Sequence, residues 1–364
     1  MKILYIVDYF YPNKWWIEVL LYEIIGYFSK KHDVKVITFR YDKNLPEVEK
    51  INWWTVYRVD AKSLYHFYFT GYDKAKEFIE DIDIIHSNTF FSALIWWKLS
   101  KKYKKQHIVH VHWAFWALRK RIVSGRFKFF KYLKFSLLEK LIFRQNADFV
   151  CVSKYVYDVL DFVYWVDLSR LHLIYNWIDE KKWLNCVDLN EVEKIKGQIS
   201  KKGEFVFLFY WRKEKVKNID LLISAFKKAN IPNSKLVLLL SDFWKSWERK
   251  IEENIEFYPA VDHNNLPNWI KAANVVVYPS IVESFGYVGL ETSLLGKPIV
   301  ASNMWGIPEV VYWKVRFFNP FDEDDLIKAL KDAYKGNFEV IPKKDFSINN
   351  VFKRLERLYE EKLG

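Results

Sequence analysis

Residues 279–311 read Pro279-Ser280-Ile281-Val282-Glu283-Ser284-Phe285-Gly286-Tyr287-Val288-Gly289-Leu290-Glu291-Thr292-Ser293-Leu294-Leu295-Gly296-Lys297-Pro298-Ile299-Val300-Ala301-Ser302-Asn303-Met304-Trp305-Gly306-Ile307-Pro308-Glu309-Val310-Val311. The apolar run Val275-Val276-Val277-Tyr278 comes just before and reads as a buried strand. A helical pattern follows Gly286. The stretch is therefore a strand, a tight turn and a helix start that carries carboxylates. Gly286 permits a positive φ or a close backbone approach. The amides near Phe285, Gly286 and Tyr287 are free at a helix start and can hold an anion. Glu283 and Glu291 can each accept from hydroxyls of a sugar or a diol. Read alone, the pair is equally two ordinary glutamates at a helix start.

The same alternation runs outward through the chain. Strands are expected at 2–9, 34–39, 84–87, 107–112, 149–153 and 171–175, then at 204–210, 235–240, 255–259, 275–280 and 298–302. Helices are expected at 17–30, 90–103, 128–145, 154–163, 219–229, 245–253, 266–272, 287–296, 323–334 and 346–362. Strands alternating with helices mean βαβ units and parallel sheets covered on both faces. Two such series give the fold class, α/β with two doubly wound, Rossmann-like domains. The polar region 177–203 is the expected break between them.

Composition narrows the class. The chain has 364 residues, half of them hydrophobic, which suits packed cores and excludes disorder. The first residues, Met1 to Asp8, read as a buried strand and not as a secretory signal. No apolar run reaches the ~18 residues that span a bilayer. Cys151 and Cys186 lack metal or redox spacing, which favours a reducing cytoplasm. The net charge of +12 suits phosphorylated substrates, anionic membranes or nucleic acid, and does not choose among them.

A second basic stretch, Tyr210-Trp211-Arg212-Lys213-Glu214-Lys215-Val216-Lys217-Asn218-Ile219-Asp220-Leu221-Leu222-Ile223, also joins a strand to a helix. Fixed cations here would stabilise an anionic group that gains charge during a reaction. With Lys297-Pro298, Gly306, Pro308 and Glu309 in register, the chain resembles the family-4 retaining glycosyltransferases of GT-B fold (glycosyl transferases group 1) over nearly its whole length. The resemblance implies two Rossmann-like domains with an interdomain cleft. It implies an acceptor-binding domain at 1–180, a donor-binding domain at 181–345, and a helix at 346–364 that returns to the first domain. By the family motif, Glu283 contacts the donor sugar, Glu291 the ribose, and Arg212 with Lys217 the diphosphate. Trp211, Ser284, Phe285, Gly286 and Tyr287 line the donor. Trp15 and Trp16 stand where the family has a Gly-Gly loop that approaches the phosphates. His112 aligns with a histidine near the reacting sugar, while His110 reads as structural. Weaker matches are Asp83-Ile84-Ile85-His86, Val150-Cys151-Val152-Ser153 and Asn176-Trp177-Ile178-Asp179.

Tryptophan occurs 17 times and glycine 11 times. Glycine thus holds about 3% of the chain against a usual share of about 7%. Trp15, Trp16, Trp113, Trp177, Trp211, Trp244, Trp305 and Trp313 align with family glycines. The expectation is that the UGA codon is read as glycine in the source organism and appears here as Trp. Genuine tryptophans would instead obstruct the donor site.

No metal is expected. Asp81-Ile82-Asp83 reads as a helix end before a strand, and the acids of 322–325 suit a helix start. The expected reaction moves a hexose-type sugar from a UDP- or GDP-sugar co-substrate to the hydroxyl of a glycan or lipid-linked acceptor, as in cell-envelope polysaccharide synthesis. Segment 119–144 carries nine Lys or Arg beside one acid, Glu139. It reads either as a domain helix or as a basic amphipathic surface for an anionic membrane. The expected place is the cytoplasm, with attachment at the inner face of the membrane open, and without nucleic acid. Two alternatives stay open: a sugar-nucleotide epimerase on the same fold, and a non-catalytic membrane- or nucleic-acid-binding relative if the tryptophans are genuine.

Overall fold

The computed structural model describes residues 1–13, 16–88, 90–113, 136–200, 203–241 and 250–364, without the side chains of 16, 90–92, 95 and 250–252. The chain forms two compact units. Unit one comprises Met1–Tyr175 and Asn349–Gly364, and unit two Asn176–Ile348.

Unit one is built on strands β1 (Lys2–Val7), β2 (Asp33–Phe39), β3 (Val48–Ile51), β4 (Trp54–Val59), β5 (Ile84–Ser87), β6 (Gln106–Val111), β7 (Asp148–Cys151) and β8 (Leu171–Leu173). Their order is β3-β4-β2-β1-β5-β6-β7-β8, parallel except for the β3–β4 hairpin. Residues Ile3 to Val7 of β1 are all buried, as a central strand covered on both faces requires. The C-terminal helix Ile348–Leu363 lays Val351, Phe352, Leu355, Leu358 and Tyr359 on this unit, one apolar stripe at helical spacing. Arg354 of that helix donates to the Leu173 carbonyl at 2.7 Å.

Unit two repeats the plan with β9 (Phe205–Trp211), β10 (Ser234–Leu240), β11 (Lys250–Glu252), β12 (Ile255–Pro259), β13 (Val275–Tyr278), β14 (Ile299–Ser302), β15 (Trp313–Phe318) and β16 (Glu339–Ile341). The order is β11-β12-β10-β9-β13-β14-β15-β16. Only the edge pairs β11–β12 and β15–β16 are antiparallel. Phe207, Phe209, Leu236, Leu238 and Val277 pack under helix Ile219–Ala229 through Leu222 and Phe226. The chain runs outward from β9 through β10 to β12, then returns to β13 on the other side of β9. That reversal is the place where an open α/β sheet leaves a crevice at its carboxyl edge.

Several expected elements differ. Residues 245–253 do not form the expected helix throughout, since Lys250–Glu252 pair with β12 as an edge strand. The region 177–203 holds helices Glu180–Asn185 and Leu189–Ile199, started by the side chains of Asp179 and Asp188. Helix Leu64–Lys76 was not expected. It buries only Phe67, Gly71 and Ala75, a stripe too narrow for an apolar pattern to show. Strands β3, β4, β15 and β16 are edge or near-edge pairs whose alternation is interrupted by charge. The expected helix at 128–145 is described only from residue 136, and runs to 143.

Candidate active site

The central strands of unit two end in two loops, one after β9 and one after β13. Both stand at the reversal point. The amide of Ile281 in the second loop donates to the Val216 carbonyl in the first at 2.8 Å. In the first loop a 3₁₀ turn, Lys215–Lys217, leads through left-handed Asn218 (φ 56°) into helix Ile219–Ala229. This turn buries Lys217 and aims its ammonium at Glu283 Oε1, 2.5 Å away. Ser280 Oγ donates to the same oxygen at 2.8 Å. The Tyr278 hydroxyl also bonds Glu283, and burial followed by this carboxylate pushes the phenol well above its ordinary value. Arg212 does not join the pair. It is partly exposed, with Nε 3.6 Å from Glu214 Oε1.

Gly286 starts the helix Tyr287–Leu294 at φ +103°, a conformation that a side chain rarely adopts. A Cβ there would also press on Val310. The neighbouring turn is as tight, because a Cβ on Gly306 would lie 2.9 Å from the Ser284 carbonyl. Phe285 is buried between Tyr287 and Phe346, with ring centroids 5.0 and 5.6 Å away.

One turn into this helix, Glu291 is buried with both oxygens engaged. His263 Nε2 lies 3.1 Å from Oε1, and the Tyr210 hydroxyl 3.2 Å from Oε2. Trp183 donates its indole N–H to the Glu291 carbonyl at 3.3 Å, and its ring lies 4.9 Å from that of His263, tilted by 42°. Glu291 raises the His263 pKa, because it accepts from the ring and favours the imidazolium. Burial first, then the Glu291 charge, hold the Tyr210 phenol protonated well above its ordinary range. The arrangement offers a buried cation, a helix start and two carboxylates along one carboxyl edge, a set able to take phosphate and hydroxyls together.

Two family models divide the chain between them. The model described as Glycosyltransferase Family 4 matches residues 17–182, and that for Glycosyl transferases group 1 matches 191–350. The chain belongs to the group 1, family-4 glycosyltransferases. This glycosyltransferase is 27% identical over 308 residues to an uncharacterized glycosyltransferase of Methanocaldococcus jannaschii, covering 80% of this chain and 77% of the relative. Its fold is that of GT-B enzymes. Sucrose-phosphate synthase from Thermosynechococcus elongatus superposes with a TM-score of 0.75 at 18% identity, over 99% of each chain. HepE of Anabaena, solved in complex with UDP-glucose, gives 0.73 at 16% identity over 99% of this chain and 100% of that one.

The remaining expected site residues of the glycosyltransferase, Trp15, Trp16 and His112, belong to unit one. Trp15 falls outside the described residues, as does Trp244, and Trp16 opens the helix Trp16–Phe28. His112 follows β6 and is buried, stacked on His110 at 4.5 Å. His86 at the end of β5 bonds the Tyr359 hydroxyl at 2.5 Å, and Tyr359 bonds Tyr5 at 2.9 Å. Burial lowers His86, His107 and His112 to about 3, so these rings are neutral. Asp81 pairs with the Lys2 side chain, and Asp83 accepts from the Lys2 amide at 2.7 Å. The tempting Asp-x-Asp thus anchors β1. The side chain of Asp322 caps its helix by accepting from Asp324 and Asp325. Among the described residues, no group of His, Cys, Asp or Glu is arranged to hold a metal, and no helix is long and apolar enough to cross a membrane.

Sequence reasoning did not find Tyr210, Tyr278, His263, Ser280 or Trp183. Tyr278 ends β13 and Tyr210 is the last residue but one of β9, where both read simply as core. A polar tip within the last two residues of each central strand was the available signal.

Proposed function

We propose that this glycosyltransferase transfers a hexose-type sugar from a nucleoside-diphosphate sugar to an acceptor hydroxyl with retention of configuration, and that its own cations replace a metal. The Lys217–Glu283 pair beside the Gly286 helix start carries this reading. In the resting chain Glu283 neutralises Lys217. A bound diphosphate takes over Lys217 as its counter-ion and frees Glu283 to accept from the sugar hydroxyls. The amides of Phe285, Gly286 and Tyr287 and the guanidinium of Arg212 add to the same oxygens as the leaving group gains charge. Glu291 accepts from the ribose hydroxyls, since each carboxylate oxygen has two acceptor sites and only one is taken by His263 or Tyr210. Retention proceeds at the front face, with the donor phosphate helping to remove the acceptor proton. His112 serves near the reacting sugar.

The UDP-glucose complex of HepE supports a uridine-type donor. A glycan or lipid-linked acceptor fits the exposed Leu137 and Leu141, which lie one helical turn apart beside Lys140 in the described part of 119–144. This is the surface that would rest on an anionic membrane at the inner face of the cell. The family match does not favour the epimerase or the non-catalytic reading.

The test is transfer from radiolabelled UDP-glucose, with GDP- and ADP-glucose as controls and chelator present. Loss of transfer in Glu291→Ala and Arg212→Ala, with retained fold, supports the assignment. Full turnover in both variants refutes it.

A further inference from the structure

We infer that the working polypeptide carries glycine at residues 165, 211, 305 and 313, where the sequence reads tryptophan. The backbone speaks for three of them. Nine non-glycine residues have positive φ among those described, and four of these are Asn, which tolerates this region. Three are tryptophans: Trp165 at φ 57°, Trp305 at 55° and Trp313 at 72°. A bulky residue in this region is an outlier.

Each site also has the local form of a glycine position. Trp165 ends the helix Lys154–Phe162, its amide bonding the Asp161 carbonyl and the next amide the Leu160 carbonyl. A left-handed residue after a helix is most often glycine. Its side chain is 86% exposed and so secures nothing by packing. Trp305 precedes Gly306, in the turn whose backbone lies against Ser284. Trp313 opens β15 with 45% of its surface exposed.

Two other tryptophans show the contrast. Trp183 and Trp269 are buried and lack positive φ. Trp183 spends its N–H on Glu291, and Trp269 packs edge-on to Tyr258 at 5.1 Å. Both use an indole. Two codons account for the division: UGA, read as glycine in the source, behind 165, 211, 305 and 313, and UGG, read as tryptophan, behind 183 and 269.

Residue 211 gives the division a functional consequence, which rests on the donor-site reading. The Lys217 ammonium lies 5.0 Å from the centre of the Trp211 ring, and the indole N–H of Trp211 is buried without an acceptor. The ring covers the cation assigned to the diphosphate. Glycine there uncovers it.

Peptide mass spectrometry of the protein isolated from its source cells tests the assignment. Glycine at 165, 211, 305 and 313 with tryptophan at 183 and 269 is expected, and tryptophan at 165, 305 or 313 overturns it. In the chain made with tryptophan, Trp165→Gly, Trp305→Gly and Trp313→Gly should each raise the urea midpoint, whereas Trp183→Gly and Trp269→Gly should lower it. A lower midpoint for Trp165→Gly argues against the inference. UDP binding to Trp211→Gly is read separately, with at least a tenfold gain expected. Glycine found at 211 without that gain would sink the donor-site reading and leave the residue assignment standing.

Discussion

Replacing Gly289 with alanine tests how tightly the Glu291 helix is seated. Gly289 is the third residue of the helix Tyr287–Leu294. A Cβ built there meets Val311 Cγ1 at 2.6 Å, where ordinary contact begins near 3.4 Å. Val311 is itself fully buried. Alanine in a helix interior is otherwise better than glycine by about 1 kcal/mol. Overpacking by one methyl costs about 1–3 kcal/mol. The net expectation is a loss of up to about 2 kcal/mol, against an apparent gain if the space were open. Urea unfolding followed by tryptophan fluorescence measures it. The companion Val311→Ala removes the opposing methyls and leaves a small cavity. In the double variant the new methyl fills part of that cavity, so the two costs should fall short of their sum by about 1 kcal/mol or more. Glu291 sits two residues along, so Gly289→Ala should also weaken UDP binding, and the double variant should restore part of it. A single variant more stable than wild type, with additive energies, would refute the packing argument.

Other outcomes are expected from the same geometry. Lys217→Ala should abolish nucleotide-sugar binding in calorimetry yet keep the circular dichroism of the parent, because Glu283 retains Ser280 and Tyr278. His263→Gln tests a pH effect. The raised His263 contributes stability that is present below its unfolded value of 6.5 and is lost as pH rises through the higher folded value. With 69% of that side chain exposed, solvent screening keeps the effect under ~1 kcal/mol, and the variant should flatten the urea midpoint across this window. The buried histidines act in the opposite sense. His86, His107 and His112 are lowered to about 3, so stability present above 6.5 falls as the pH drops, and acid unfolding should take up more than one proton. A one-proton slope would count against neutral burial. Tyr359→Phe strands the partners of a buried hydroxyl in unit one and should cost about 1–3 kcal/mol by urea titration, and an unchanged midpoint would disprove the network.

Much of this molecule is legible in the sequence because its central strands are continuous apolar runs. Val275 to Tyr278 and Phe205 to Trp211 cannot be amphipathic surfaces, so they announce a sheet buried on both faces. The glycine and carboxylates that follow β13 mark the site for the same local reason. What stayed hidden depends on distant pairing. His263 precedes an unremarkable helix and gains meaning only when Glu291 lies beside it. Glu283 and Lys217 are 66 residues apart, and nothing local says that they neutralise each other. The helix Leu64–Lys76 escaped because aromatic and polar residues are mixed around it, with one small stripe turned inward. The tryptophans are the inverse case, where composition raised the question and backbone angles supplied an answer.

The single amide–carbonyl link from Ile281 to Val216 has a further implication. It splices two segments that arrive from different strands, so neither can be relocated without dragging the other. A change that shifts one recognition element should detune its neighbour in step. For anyone re-engineering what this catalyst accepts, the practical unit is therefore the spliced pair, exchanged whole.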